Sequence, residues 1–231
     1  MAARARLDEA QRIERNEGRA WPAQRLLWGV EAAQWLARMG HDHAGALRLG
    51  RRLLALDRER GSQASIATGN LIDAELAAGD AAAAAQLGAG LVESLVGTRH
   101  EYNLAFARIN LLAALLAQDD AARARPVAQA AWAKAADFDL QHGAAAYLAL
   151  LCALQARPRA ACRLAGYSQA LYTARGEARE QNETAATLRA LALARQALDA
   201  ATLARLQAEG AALRDADVPA VAFADADDSG C

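Results

Sequence analysis

The chain has 231 residues and a formal net charge of −1, so no sequence-wide field draws it to nucleic acid or to an anionic membrane. Alanine and leucine abound while β-branched and aromatic residues are sparse, which predicts an all-α fold. The longest apolar run, residues 104–117 (LAFARINLLAALLA), is too short to span a membrane and carries Arg108. Cys152, Cys162 and Cys231 form no C-x-x-C pair, so the expectation is a reduced, cytoplasmic protein.

Residues 1–20 form a charged N-terminal segment. Pro22 suits the first turn of a helix that should run to Met39 and stop at Gly40. Trp21, Trp28 and Trp35 are spaced by seven, so they fall on nearly one line of that helix. Core or cap packing of a first hairpin is the favoured use of that line. The alternative is an exposed face that meets a preceding domain or a partner.

From Gly40 onward the punctuation is regular. "WLARMGHDHAGAL", "ELAAGDAAAAAQL", "LLAQDDAARARPV" and "ALQARPRAACRL" each end one apolar helix, turn, and open an alanine-rich one. The last leucines before these turns are Leu36, Leu76, Leu116 and Leu154, spaced 40, 40 and 38 residues apart. Eight residues further on stand Ala44, Ala84, Ala124 and Cys162, small enough for two helices to pack closely. Further breaks fall near residues 60, 99, 139 and 176. The pattern predicts a right-handed, tetratricopeptide-like α-solenoid of about four helical hairpins over residues 21–214, with a period of about 40. Helices at 178–198 and 200–213 would cap its end, and residues 215–231, with Pro219 and "ADADDSGC", read as an acidic, disordered tail.

Residues 159–213 carry a more specific pattern: Arg163, Leu164, Gly166, Ala170 and Leu171, then Gly176, then Glu209, Gly210 and Leu213. This pattern resembles the closing segment of the helical repeat region in large bacterial signal-transduction ATPases that regulate transcription. The resemblance rests on helical packing positions in about a quarter of the chain. It implies a sensor or interaction module, normally downstream of an ATPase domain and a DNA-binding domain that would lie outside these residues. A piece of such a regulator and a stand-alone relative both fit. One departure is "RDADVPAV", where the family carries a Ser-capped acidic helix.

Chemistry-bearing motifs are scarce. There is no G-x-x-x-x-G-K-[ST], and Lys134, the single lysine, lies mid-helix, so the chain is not itself a P-loop NTPase. G-x-S-x-G is absent, and the H-D-H at 41–43 lacks the one-turn ligand spacing of helical metal sites. No catalytic residue, metal ligand or cofactor is therefore assigned. The arginines of "RLGRRLLALDRERG" alternate with leucines, as on the charged face of an amphipathic helix, and no direct nucleic-acid contact is expected. One positive pattern remains. Asn70 and Asn110 recur 40 residues apart, each before an apolar pair, with Asn103 one heptad before Asn110 and Arg108 beside it. Asparagine is a poor helix-interior residue, and it can offer both donor and acceptor to a peptide backbone. Interhelical hydrogen bonding or solvent exposure is the plainer use; a ligand-binding role on the concave face is the sharper one. The expected function is a non-enzymatic regulatory or protein-interaction module that grips a peptide or protein partner, the alternative being a small-molecule sensor using the same groove.

Overall fold

The structure, a computed structural model, describes residues 30, 32–34, 42–59 and 65–226. The regular structure of the described residues is all helical, with no strand among them, as the composition predicts. No helix among them is long and apolar enough to cross a membrane. Trp21, Trp28 and Trp35 lie outside the described residues, as does most of the predicted first helix. The chain divides into two compact units, Met1–Asp80 and Ala81–Cys231.

In the first unit α1 (His43–Glu59) packs against α2 (Ser65–Ala77). Ala46 meets Ala74 in one apolar cluster and Leu53 meets Ala67 in another, so the two helices run antiparallel. Ala44, predicted as the small residue that packs α1 against the helix before it, is exposed, while Gly45 and Ala46, one and two positions later, are buried. The reason is the start of the helix. The carboxylate of Asp42 accepts the Gly45 N–H at 2.9 Å, so the H-D-H segment supplies a helix cap whose first turn still faces solvent.

The second unit runs α3 (Ala81–Leu95), α4 (Glu101–Ala117), α5 (Ala121–Ala135), α6 (Gln141–Leu154), α7 (Pro158–Arg175), α8 (Gln181–Ala194), α9 (Ala200–Ala211) and α10 (Val218–Ala222). From α3 to α8 each helix packs on the next, and α4 packs also on α6, α6 on α8, and α7 on α9. Ala84, Ala124, Ala161 and Cys162, the small residues picked out by spacing, are fully buried. The helix breaks share one chemistry. Gly79, Asp119 and Ala156 adopt positive φ of 89°, 60° and 55°. The next N–H of each turn, from Asp80, Asp120 and Arg157, reaches back to the carbonyls of Glu75, Leu115 and Cys152 at 2.9, 3.0 and 2.9 Å. This is the left-handed helix stop, which satisfies carbonyls the helix leaves orphaned. Restart signals differ: Asp120 caps α5 through the Arg123 N–H at 3.0 Å, while Pro158 opens α7 in its first turn.

The expected disordered tail begins too early at residue 215. Asp215–Asp217 form a 3₁₀ turn, and Val218–Ala222 form a helix that packs on α6 and α7, with Pro219 in its first turn. Acidic composition concealed two apolar anchors, Val218 and Ala222, both 0% exposed. Residues 227–231 lie outside the described part.

Candidate functional site

The four polar residues drawn from the sequence are divided between the two units. Asn70 lies in the first unit, half-buried on α2, where its carbonyl accepts the side-chain amide of the buried Gln34 at 3.3 Å. The other three lie on α4. Asn110 is only 5% exposed, within a run from Ile109 to Leu116 that is buried throughout. Asn103 and Arg108 are half-buried, and the Arg108 guanidinium reaches the Ala130 carbonyl of α5 at 3.5 Å. Beside Asn103 the surface turns aromatic. Tyr102 is 48% exposed, stacks parallel to Phe106 at 6.5 Å and takes the edge of Phe138 at 5.7 Å. Lys134 borders this patch, bonded to Glu101 and Asp137 at 3.2 Å each.

α6 is buried on every side over residues 143–152. α4, α5, α7, α8 and α10 all pack on it. α6 therefore offers no open face over these residues, and the exposed large apolar side chains nearby stand on α4 and α8. On α8 the exposed apolar residue is Leu188.

Among the described residues, a dense set of interacting titratable groups sits where α6 begins, α7 ends and α8 begins. Sequence reading gives these residues no chemistry. The α7 end is a left-handed stop at Gly176, φ 65°, whose N–H bonds to the Thr173 carbonyl at 3.2 Å. The next helix opens with a reciprocal capping box between Glu180 and Glu183. Glu183 then turns inward and accepts the hydroxyl of the buried Tyr172. Gly143 makes room for it: a Cβ there would lie 2.6 Å from Glu183 Oε1. The His142 ring stands edge-on to Tyr172 at 5.0 Å, and the Arg179 guanidinium lies over the same ring at 4.9 Å. Arg179 also donates to the Ser168 hydroxyl at 3.3 Å, and that hydroxyl donates to the His142 carbonyl at 3.0 Å. Outside, Arg175 ties Asp139 to Glu177, whose carboxylate lies 4.0 Å from His142 Nε2.

Burial sets the protonation of this corner. It raises the Glu183 carboxyl above its ordinary range, against the opposing pull of the Tyr172 hydroxyl. It pushes the His142 imidazole down, helped by the Arg175 charge, and raises the Tyr172 hydroxyl. Among the described residues no group of three or more His, Cys, Asp or Glu side chains is placed to hold a metal. Burial thus favours the neutral forms of Glu183 and His142 where α8 meets α6 and α7.

A pH dependence of stability follows. Native Glu183 holds its proton more tightly than the unfolded chain, so its contribution is fully present below the ordinary value of 4.5 and is lost as pH rises through the raised one. His142 acts in the opposite sense, losing stability as pH falls from 6.5 through its lowered value. Glu183→Gln keeps an acceptor for Tyr172 and removes only the first effect. Urea unfolding at a series of pH values should show the variant gaining on wild type as pH rises from about 4.5 to 7. A constant difference would mean that Glu183 is not held in this environment.

Comparison with protein-family models, with curated proteins and with solved structures finds no match to this chain. At the residues that carry the sequence resemblance, the structure shows helix packing. Arg163 pairs with Glu209 at 3.1 Å, and Gly166 and Gly210 lie where α7 and α9 touch backbone to backbone.

Proposed function

We propose that the chain is a non-enzymatic interaction module, a right-handed tetratricopeptide-like α-solenoid that recognises a peptide or protein partner. The observation that supports this most is packing between alternate helices, α4 on α6 on α8 and α7 on α9, joined by stops of one geometry. Helical hairpins stacked in register bury their apolar faces against the next pair and leave an extended surface for recognition. Burial of α6 moves that surface to Tyr102, Asn103 and Phe106 on α4 and to Leu188 on α8. An exposed aromatic beside an amide suits an apolar side chain of a partner together with its backbone. A role in bacterial transcriptional regulation or signalling, beside an ATPase and a DNA-binding domain of the same or another chain, follows from the sequence resemblance alone. The second reading, a small-molecule sensor, draws support from the buried titratable corner of His142, Tyr172, Arg179 and Glu183.

The test is affinity capture from native lysate with wild type, Tyr102→Ala and Leu188→Ser, followed by titration of any retained protein in purified form. A partner whose affinity falls about tenfold or more with Tyr102→Ala supports the reading, since exposed aromatic anchors contribute at least about 1–2 kcal/mol. Equal affinity for all three chains would remove this face as the recognition surface. Asn110→Ala is no substitute probe, because that residue belongs to the core.

A further inference from the structure

The C-terminal segment is seated in an unusual way. α10 has five residues, far below the roughly 12–15 at which an isolated helix becomes marginally stable, so it is helical only while docked. Its apolar contacts with α6 and α7 are made by Val218 and Ala222, while Ala220 and residues 225–226 are exposed. What holds its far end is a pair of guanidiniums aimed at backbone carbonyls. Arg157, 5% exposed, donates to the carbonyl of Ala222 at 2.7 Å and to that of Val221. Arg125 of α5 donates to the Phe223 carbonyl at 2.7 Å and lies 3.4 Å from the Asp225 carboxylate. The near end is pinned by Asp215, which accepts the Tyr167 hydroxyl at 2.6 Å and the Gln141 side-chain amide at 3.1 Å. Beneath the seat lies Cys152, 0% exposed, its Sγ 3.5 Å from the Ala222 carbonyl.

We propose that residues 215–226 are a releasable strap, and that the seat they fill is a docking site for the carbonyl end of a short apolar helix, closed in cis by this chain's own segment. The occupant is fixed by its chemistry. Two guanidiniums meet carbonyls that a helix end leaves unpaired, and two small apolar side chains one helical turn apart, Val218 and Ala222, are fully buried. Release is cheap for a physical reason. Docking strips water from Arg157, and undocking returns it, so the gain from the carbonyl bonds is partly offset by desolvation. Non-helical residues 213–214 separate the strap from α9 and supply the hinge. Such a small, locally closed unit opens without the rest of the fold. The inference does not rest on the recognition face of α4 and α8.

Cys152 reports the opening. In a full-length chain carrying Cys162→Ala and Cys231→Ser, a thiol reagent reaches Cys152 only when the strap lifts. Labelling is expected to be at least tenfold faster than global unfolding allows, and nearly independent of low urea, because little surface is exposed. Val218→Asp should accelerate it a further tenfold or more while the helical circular dichroism stays near wild type. A synthetic peptide of residues 215–226 should then slow labelling of the Val218→Asp chain in a saturable manner. Labelling that requires global unfolding, with its full urea dependence, would overturn the strap, and that measurement needs no variant at the seat. A peptide that gives no protection to a folded Val218→Asp chain would overturn the docking site.

Discussion

Gly210→Ala is expected to destabilise the second unit by on the order of 3 kcal/mol, and Gly166→Ala by a similar amount. An added Cβ at Gly210 would stand 1.9 Å from the carbonyl oxygen of Arg163 and 2.7 Å from its Cα. At Gly166 it would stand 2.0 Å from the carbonyl oxygen of Gln207. Both obstacles are backbone, so no rotamer change relieves them, and α7 must move away from α9 along the whole crossing. That separation also strains the Arg163–Glu209 ion pair and loosens Leu164 and Leu206, both fully buried. Helix propensity works the other way, since alanine is favoured over glycine by up to about 1 kcal/mol in a helix interior. The sign of the effect therefore decides. Gly90 of α3 is exposed with nothing within 4 Å of an added Cβ, so Gly90→Ala should stabilise by up to about 1 kcal/mol. Denaturation midpoints of the three variants should bracket wild type. A Gly210→Ala chain that behaves like Gly90→Ala would refute the close approach of α7 and α9.

Those glycines also show which parts of the molecule can be read without a structure. Gly166, Gly210, Arg163 and Glu209 stood out in the sequence as a pattern, and they touch one another, because close helix crossings need glycine on both sides. Turns were legible for the same local reason. The left-handed stop and the Asp or Pro that restarts the helix act within six residues, so the spacing of Leu76, Leu116 and Leu154 tracks them. Faces were not legible. α4 is buried over the whole stretch from Ile109 to Leu116, so the recurrence of Asn110 could not reveal whether that position faces a groove or the core. The titratable corner joins His142 to Tyr172 and Glu183, 30 and 41 positions away, through packing alone. Its one local trace was the Glu180-x-x-Glu183 capping box. In the C-terminal segment, acidic residues around Val218 and Ala222 masked a pair of anchors too short to show a period.

Arg157→Met is expected to destabilise the full chain by up to about 3–5 kcal/mol, the range for removing one partner from a buried charged contact that cannot open. Methionine can follow the apolar stem of the arginine, so the change isolates the donors rather than the packing. The carbonyls of Val221 and Ala222 then lose their guanidinium partner, each at about 1–3 kcal/mol if it stays buried. The strap has a way out that a helix in the core lacks, since it can lift and give those carbonyls to water. The measured cost is therefore capped by the free energy that docks residues 215–226. A double-mutant cycle separates the two: Arg157→Met in the full chain and in a chain ending at Arg214. In the shortened chain Arg157 is already hydrated, and its replacement should cost less than about 1 kcal/mol. Arg157→Lys should fall between, because one ammonium keeps the charge but cannot fork to two carbonyls. Equal costs of Arg157→Met with and without the strap would instead assign this arginine to the α6–α7 turn, where its own N–H closes the stop on Cys152. Unequal costs would make the guanidinium the clasp of the C-terminal segment, with a strength set by two carbonyls and little else.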